Sequence, residues 1–267
     1  MITDYHIHTK MCGHATGDLE DYLAVAIRDG LEEIGFSDHL PLYFLPPAAI
    51  PVGYAMTEAD LPVYVDAVQR LQETSPVRVK LGVEADYVPG CESKLEKLLK
   101  AYPFDYVIGS VHFIDGWSFD NQEEIDRYSQ WDIWELYERY FTLIQQAAMT
   151  GLFDIMAHPD LIKKFNYLPS QDLMPLYEDT VQIFKRAGVC MEVNTAGLRC
   201  PVQEIYPAPG FLRAAFSQGV EVTLGSDAHH PEQVGAGLPE AVNFLKAAGY
   251  SEIASFKRRD RIINNML

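Results

Sequence analysis

At 267 residues, with 48% apolar and 12% aromatic side chains, the chain is long enough for one large core and matches the roughly 250 residues of a single α/β barrel. Lysine plus arginine number 21 against 38 aspartates and glutamates; the resulting charge of −17 excludes the broad basic face of a nucleic-acid binder. No apolar run reaches the length a bilayer requires, Met-Ile-Thr-Asp-Tyr-His is no secretory leader, and the four cysteines (Cys12, Cys91, Cys190, Cys200) form no C-x-x-C pair, so the expectation is a cytoplasmic protein that meets no membrane.

Short β-branched or apolar runs alternate with longer helical patterns. Strands are expected to end near residues 6–8, 38–39, 83–84, 111–112, 157–158, 193–194 and 226–227. Helices are expected at 18–30, 57–74, 91–101, 132–150, 172–187, 208–218 and 237–248. Leu19, Tyr22, Leu23, Ala26 and Ile27 show the helical period in the first of these. Gly30, Gly151, Gly188, Gly219 and Gly249 each follow a helical pattern, where a left-handed residue ends a helix. Seven strand–helix units imply a parallel sheet that can close into a barrel of one domain, residues 1–267. A short strand near 252–256 would cap it. The proline-rich stretch 41–51 reads as a long loop over one rim, and 257–261 (Lys-Arg-Arg-Asp-Arg) as a surface face.

The histidines stand out by position. His6, His8, His14, His39, His112, His158 and His229 fall where a strand runs into its following loop, the end of an α/β barrel that carries active sites. Strand three adds Glu84 within Glu84-Ala-Asp86, and strand seven adds Asp227. In Asp4-x-His6-x-His8, alternate side chains of a strand share a face, so His6 and His8 can hold one ion together. Asp227-x-His229 repeats the spacing, and Asp4 is placed to orient a ligand imidazole. Imidazoles with a few carboxylates suit zinc, iron or manganese. His230, before Pro231, reads as a solvated turn residue, and Cys12 as structural rather than nucleophilic. No phosphate-binding P-loop, nucleophile elbow or dinucleotide fingerprint is present.

The ordered motifs Asp4-x-His6-x-His8, Cys12-Gly-His14-Ala, Ser37-Asp38-His39, Gly109-Ser-Val-His112, Ala157-His158-Pro-Asp-Leu161, Glu192-Val-Asn-Thr-Ala-Gly-Leu-Arg199 and Gly225-Ser-Asp227-Ala-His229 resemble those of the PHP (polymerase and histidinol phosphatase) superfamily. The Cys-Gly-His loop and the Asn-Thr-Ala-Gly-Leu-Arg stretch are most similar to the histidinol-phosphate phosphatase branch. The resemblance implies a distorted (β/α)7 TIM-like barrel and three divalent metal ions, zinc, iron or manganese. It implies that His6, His8, Glu84 and Asp227 hold the first ion, that Glu84 bridges to a second held by His112 and His158, and that His14, His39 and His229 hold the third. Variation in the 41–56 loop is expected to affect substrate choice rather than metals. The activity implied is hydrolysis of L-histidinol phosphate to L-histidinol and phosphate, a step of histidine biosynthesis.

Phosphate-ester hydrolysis requires a nucleophile at neutral pH, neutralised phosphoryl charge and a proton for the leaving oxygen. Attack is assigned to a metal-bridging hydroxide rather than to a side chain. Leaving-group protonation falls to Asp227 or His229. Arg199, after strand six, and Lys163 and Lys164, after strand five, are the expected phosphate-binding cations. Trp117, Tyr43 and Phe44 are loop aromatics able to stack on a ring. The partner expected is a small-molecule phosphate ester. The rivals are a PHP phosphatase acting on nucleotides or phosphotyrosine, an exonuclease, a metal-dependent deaminase or amidase, and a metal-storage module.

Overall fold

The computed structural model describes residues 2–46, 50 and 53–266. In chain order the main elements are β1 (Thr3–Ile7), α1 (Leu19–Arg28), β2 (Glu33–Phe36), α2 (Leu61–Thr74), β3 (Arg78–Leu81), β4 (Glu84–Asp86), α3 (Glu92–Lys100), β5 (Ile108–Ser110), β6 (Phe113–Ile114), β7 (Trp117–Ser118), α4 (Ile133–Met149), β8 (Ile155–Met156), α5 (Met174–Ala187), β9 (Cys190–Asn194), α6 (Pro209–Ser217), β10 (Val222–Gly225), α7 (Leu238–Ala248), β11 (Glu252–Lys257) and β12 (Asp260–Asn265). The seven strand–helix units lie where periodicity predicts them. Helix ends follow capping chemistry. Asp18 and Asp21 form a reciprocal capping box on α1, and Asp132 caps α4 through the Glu135 amide. The helix expected from 57 starts at Leu61 instead. Thr57 and Asp60 bond each other in a turn, and Pro62 then opens the first helical turn. Gly30, Gly151, Gly188, Gly219 and Gly249 all have positive φ, as helix-ending glycines require.

The parallel strands form two arcs, β1-β2-β3 and β4-β5-β8-β9-β10. β3 and β4 are two halves of one stave, interrupted at Gly82-Val83. Backbone bonds close both seams. Glu84 N donates to Asp38 O (3.2 Å) and Leu40 N to Glu84 O (2.7 Å). At the other seam Ala228 N donates to His6 O (3.1 Å) and His8 N to Ala228 O (2.8 Å). The result is a distorted seven-stave (β/α)7 barrel, and both of its irregular seams carry candidate ligands.

Tyr5, Tyr106, Ile108, Ile155, Ala157, Cys190, Ala254 and Phe256 form one buried cluster. Tyr106 threads between Gly35 and Gly82, where a Cβ would fall 2.2 Å from its ring or hydroxyl. The capping strand expected near 252–256 is half of an antiparallel hairpin, β11–β12. The run 257–261 is correspondingly more than a surface face. Arg258 N donates to Asp105 Oδ1 (3.0 Å), Arg259 Nη2 to Leu152 O (2.7 Å) and Arg261 Nη2 to Gly188 O (2.6 Å). A second hairpin, β6–β7, stands outside the expected strand–helix units and turns on Asp115-Gly116, both at positive φ. Within the loop read as 41–51, residues 47–49, 51 and 52 lie outside the described residues.

Candidate metal centre

The C-terminal end of the barrel gathers all nine expected residues. β1 delivers His6 and His8. A 3-10 turn (Lys10–Cys12), started by the Thr9 hydroxyl, leads to His14. His39 follows β2, Glu84 opens β4, His112 follows β5, His158 follows β8, and Asp227 and His229 follow β10. Glu84 is the hub. Its Oε2 lies 3.4 Å from His6 Nε2, 3.5 Å from His8 Nε2 and 3.0 Å from His39 Nδ1. Its Oε1 lies 3.2 Å from His158 Nε2 and 3.7 Å from His112 Nε2. Asp227 Oδ1 lies 3.4 Å from His8 Nε2 and 3.8 Å from His6 Nε2. His14 Nε2 and His229 Nε2 face each other at 3.1 Å.

These residues fit divalent ions. His6 Nε2, both ring nitrogens of His8 and His158 Nδ1 are buried without a hydrogen-bond partner. Each orphaned polar atom costs about 1–3 kcal/mol unless something satisfies it. Nitrogen–oxygen gaps of 3.4–3.8 Å around His6 and His8 are too long for good hydrogen bonds, yet short enough for one cation to lie between the atoms. The triads His6–His8–Asp227, His8–His39–Glu84, His6–Glu84–His158 and His14–His39–His229 each bring ligand atoms within 4.8 Å of one another.

Protonation points the same way. Burial alone would push Glu84 up, but His39, His6 and His112 hold it well below the usual carboxylate range. Burial likewise opposes Asp227, and His6, His8 and His229 hold it well below. Burial, then His229 and His39, drives His8 well below its ordinary value, and burial with His39 and His229 takes His14 down to about 4. These are the deprotonated forms that ligands need. His6 differs: burial pulls it down, but Glu192, Asp227 and Glu84 outweigh that and hold it well above. That much negative charge around the site is what bound cations would neutralise.

Two further carboxylates, Glu192 and Asp86, support the ligand imidazoles. Glu192 Oε1 accepts from His6 Nδ1 (2.7 Å), while Oε2 accepts from the His158 amide (2.8 Å) and Asn194 Nδ2 (3.0 Å). Gly225 makes room for it, because a Cβ there would sit 2.1 Å from Glu192 Oε1. Asp86 Oδ1 lies 2.9 Å from His112 Nδ1. Glu192-x-Asn194 and Glu84-x-Asp86 show the same period-two spacing as His6-x-His8, which is the signal that could have found them. The role expected of Asp4 is corrected. The β1–β2 register shifts between Asp4 and Ile7, and Asp4 instead accepts from Ser226 N (2.8 Å), Ser226 Oγ (2.5 Å) and Gly235 N (2.9 Å). Glu192 does the orienting. Glu192→Gln should weaken metal affinity about 10- to 100-fold, as loss of such an outer partner does. Competition with a chromophoric chelator measures this, and unchanged affinity would remove Glu192 from the role.

A PHP-domain model matches residues 4–196 of the chain. The chain belongs to the PHP family. A probable histidinol-phosphatase of Deinococcus radiodurans is 39% identical over 97% of each sequence. The histidinol-phosphatase of Bacillus subtilis is 29% identical over 87% of this chain and 95% of its own. The fold is that of the histidinol phosphate phosphatase of Lactococcus lactis, whose crystal structure was solved in complex with zinc, L-histidinol and phosphate; it superposes with a TM-score of 0.84 at 22% identity, covering 98% of both chains.

Above this cluster opens a cavity of about 720 Å³ lined by seven of the nine residues, all but His6 and His8. Arg199 and Lys164 line it, and Lys163 does not. Lys163 is buried, its ammonium held by Asp160 (3.1 Å), Glu204 (3.0 Å) and the Ile205 carbonyl (3.1 Å). Lys164 Nζ donates to Asp120 O (2.8 Å) and Oδ2 (3.1 Å). Arg199 Nη2 donates to the carbonyls of Ser226 (2.6 Å) and Asp227 (3.2 Å). The aromatics expected to stack on a ring are otherwise engaged. Trp117 is fully buried against Tyr128 and Trp131, the Tyr43 hydroxyl donates to Asp86 O (2.6 Å), and Phe44 packs on Phe113. Tyr54, Phe165 and Tyr206 are the rings the cavity presents. His230 also lines it and bonds Thr16 Oγ1 (2.7 Å). Cys12 is buried and its thiol pushed up to about 12 by that burial, with Asp38 adding to it, so it is no nucleophile.

Proposed function

We propose that the chain hydrolyses L-histidinol phosphate to L-histidinol and phosphate. The observation that carries this is a nine-residue imidazole–carboxylate cluster beneath a cavity whose rim holds Arg199 and Lys164. The names of the Deinococcus and Bacillus relatives, and the zinc, L-histidinol and phosphate of the Lactococcus structure, support the same reading. The resident group in this reading is three divalent ions, zinc, iron or manganese. His6, His8, Glu84 and Asp227 would hold one, Glu84, His112 and His158 a second, and His14, His39 and His229 a third. When bound, such ions activate water at neutral pH and neutralise phosphoryl charge.

The rest falls to side chains. Arg199 and Lys164 bind the phosphoryl oxygens, Arg199 through charge-assisted hydrogen bonds from its guanidinium. Proton delivery to the leaving oxygen is assigned to the Asp227–His229 pair, which lines the cavity with Oδ1 and Nδ1 3.5 Å apart; the ionised Asp227 carboxylate would first take that proton from the attacking water. Lys163 takes no part in phosphate binding, because Asp160 and Glu204 already neutralise it. The partner is a small-molecule phosphate ester. The charge of −17 argues against nucleic acid, and among the described residues no helix is long and apolar enough to cross a membrane. A biosynthetic hydrolase of this kind works in the cytoplasm.

Kinetics of one metal-loaded preparation on histidinol phosphate, a nucleoside monophosphate and an aryl phosphate test the substrate. A preference of roughly a hundredfold or more in kcat/KM for histidinol phosphate is expected, the scale that specific polar contacts provide. Equal turnover of all three would leave a general PHP phosphatase. Ammonia release without phosphate release would favour the deaminase reading.

A further inference from the structure

The 41–56 loop was expected to influence substrate choice and leave the metals alone. The contacts of Gly13 and Gly53 point elsewhere. His14 is the one exposed imidazole of the nine-residue cluster, carried on a loop rather than a strand. A ligand in that position has rotamers to lose and two tautomers to choose between. Its Nδ1 lies 3.2 Å from the Gly53 carbonyl. A carbonyl only accepts, so Nδ1 carries the proton and Nε2 keeps its lone pair. His229 is arranged in the same way, with Nδ1 3.1 Å from the Asp227 carbonyl. Two carbonyls thus turn two Nε2 lone pairs toward each other at 3.1 Å. Two lone pairs repel unless a cation lies between them.

The carbonyl reaches His14 only because two backbones touch. A Cβ on Gly13 would fall 2.5 Å from Gly53 Cα and 2.9 Å from its carbonyl carbon. Both residues also sit at positive φ, +91° for Gly13 and +77° for Gly53. The next residue, Tyr54, pins the segment to the β6–β7 hairpin: its hydroxyl and Ser118 Oγ are 2.6 Å apart, and its ring stands 6.3 Å from that of His14.

We infer that the Gly53 carbonyl, seated against Gly13 and anchored by Tyr54, is a positioning group that sets the tautomer and direction of His14, so that the loop before α2 governs occupancy of the His14–His39–His229 site. This rests on the metal reading above. Among the described residues, the site on this side is the one whose ligand depends on a backbone contact between two loops, so it should be the ion that a loop change releases.

Zinc is the probe. Chelator-stripped protein is reloaded at a series of buffered free zinc concentrations, and ions per chain are counted by elemental analysis. Gly13→Ala should bind the weakest ion about 10- to 100-fold less tightly, the range for loss of an outer-shell partner, and leave the other ions in place. Tyr54→Phe, which removes only the anchoring hydroxyl, should shift the same ion in the same direction by less. His14→Ala should lose that ion, and Gly13→Ala/His14→Ala should lose nothing more, because both changes act on one ligand. Gly30→Ala is the control: it is also at positive φ (+73°) but meets nothing within 4 Å, and its zinc binding should match wild type. Wild-type zinc curves in both Gly13→Ala and Tyr54→Phe overturn the inference. So does a double variant that binds fewer ions than His14→Ala. If the wild-type chain itself binds no zinc, the metal reading fails instead, which keeps the two failures apart.

Discussion

Glu84→Gln should cost the protein at least one bound ion and lower turnover by about a thousandfold or more. Glutamine keeps the shape of the side chain and removes its charge. The wild-type carboxylate presents one oxygen to His6, His8 and His39 and the other to His112 and His158. No other residue of the cluster faces so many imidazoles. A side-chain amide offers one oxygen and one NH2, so half of the hub would turn a donor toward ligand nitrogens. The loss is therefore shared between two ion positions. Metal ions contribute several kcal/mol to phosphoryl-transfer transition states, and each 1.4 kcal/mol is a decade in rate. Elemental analysis and initial rates on histidinol phosphate measure both quantities. Full stoichiometry and full rate together would mean that Glu84 is not the bridge. His112→Ala should be milder, since it removes a ligand from one side of the hub only.

The prominence of Glu84 explains why so much of this site could be read from the sequence. Parallel staves end at the same rim, so any ligand-type residue at a strand end must converge with the others. Eight of the nine candidates follow from that rule; His14, on the loop beyond β1, rests on the Cys12-Gly-His14 motif as well. Their partners do not follow from it, because second partners are chosen by register across strands. The period-two spacing can flag Glu192 as facing the rim, but that it reaches His6 depends on β9 lying beside β10 and on the space that Gly225 leaves. Lys163 and Lys164 are the converse case. They are chemically equivalent neighbours, but in a single turn one side chain enters the buried Asp160 pair and the next faces the cavity. Trp117 is decided in the same way, by the direction its side chain takes. It sits in a β6–β7 hairpin that the Asp115-Gly116 signal could have revealed, and hairpin residues pack inward as readily as out. At the far end of the barrel, β12 escaped notice because Asp260–Asn265 is polar at both ends and half-exposed; its partner β11 supplies the buried side chains.

Arg199→Ala should lower kcat/KM for histidinol phosphate by about ten- to a hundredfold while leaving metal content intact. The geometry now supplies a reason that the sequence did not. One guanidinium nitrogen, Nη2, is taken by the carbonyls of Ser226 and Asp227, the backbone that carries a candidate ligand. That anchor holds the plane of the guanidinium at the cavity wall, and leaves the Nη1 and Nε hydrogens, rather than a two-pronged edge, for charge-assisted bonds to phosphoryl oxygens. Charge-assisted hydrogen bonds contribute roughly 1.5–3 kcal/mol, which sets the expected range at 1.4 kcal/mol per decade. Arg199→Lys keeps the charge but not the planar head anchored on the Ser226 and Asp227 carbonyls, so it should recover only part of the loss. Lys164→Ala should cost less than Arg199→Ala, because the Lys164 ammonium already shares its charge with Asp120. The metal count separates two ways of losing rate. If Arg199→Ala also sheds an ion, the residue acts by holding the Asp227 backbone rather than by gripping phosphate. If rate and metal content both match wild type, Arg199 has no part in phosphate binding, and Lys164 is left as the cation that holds it.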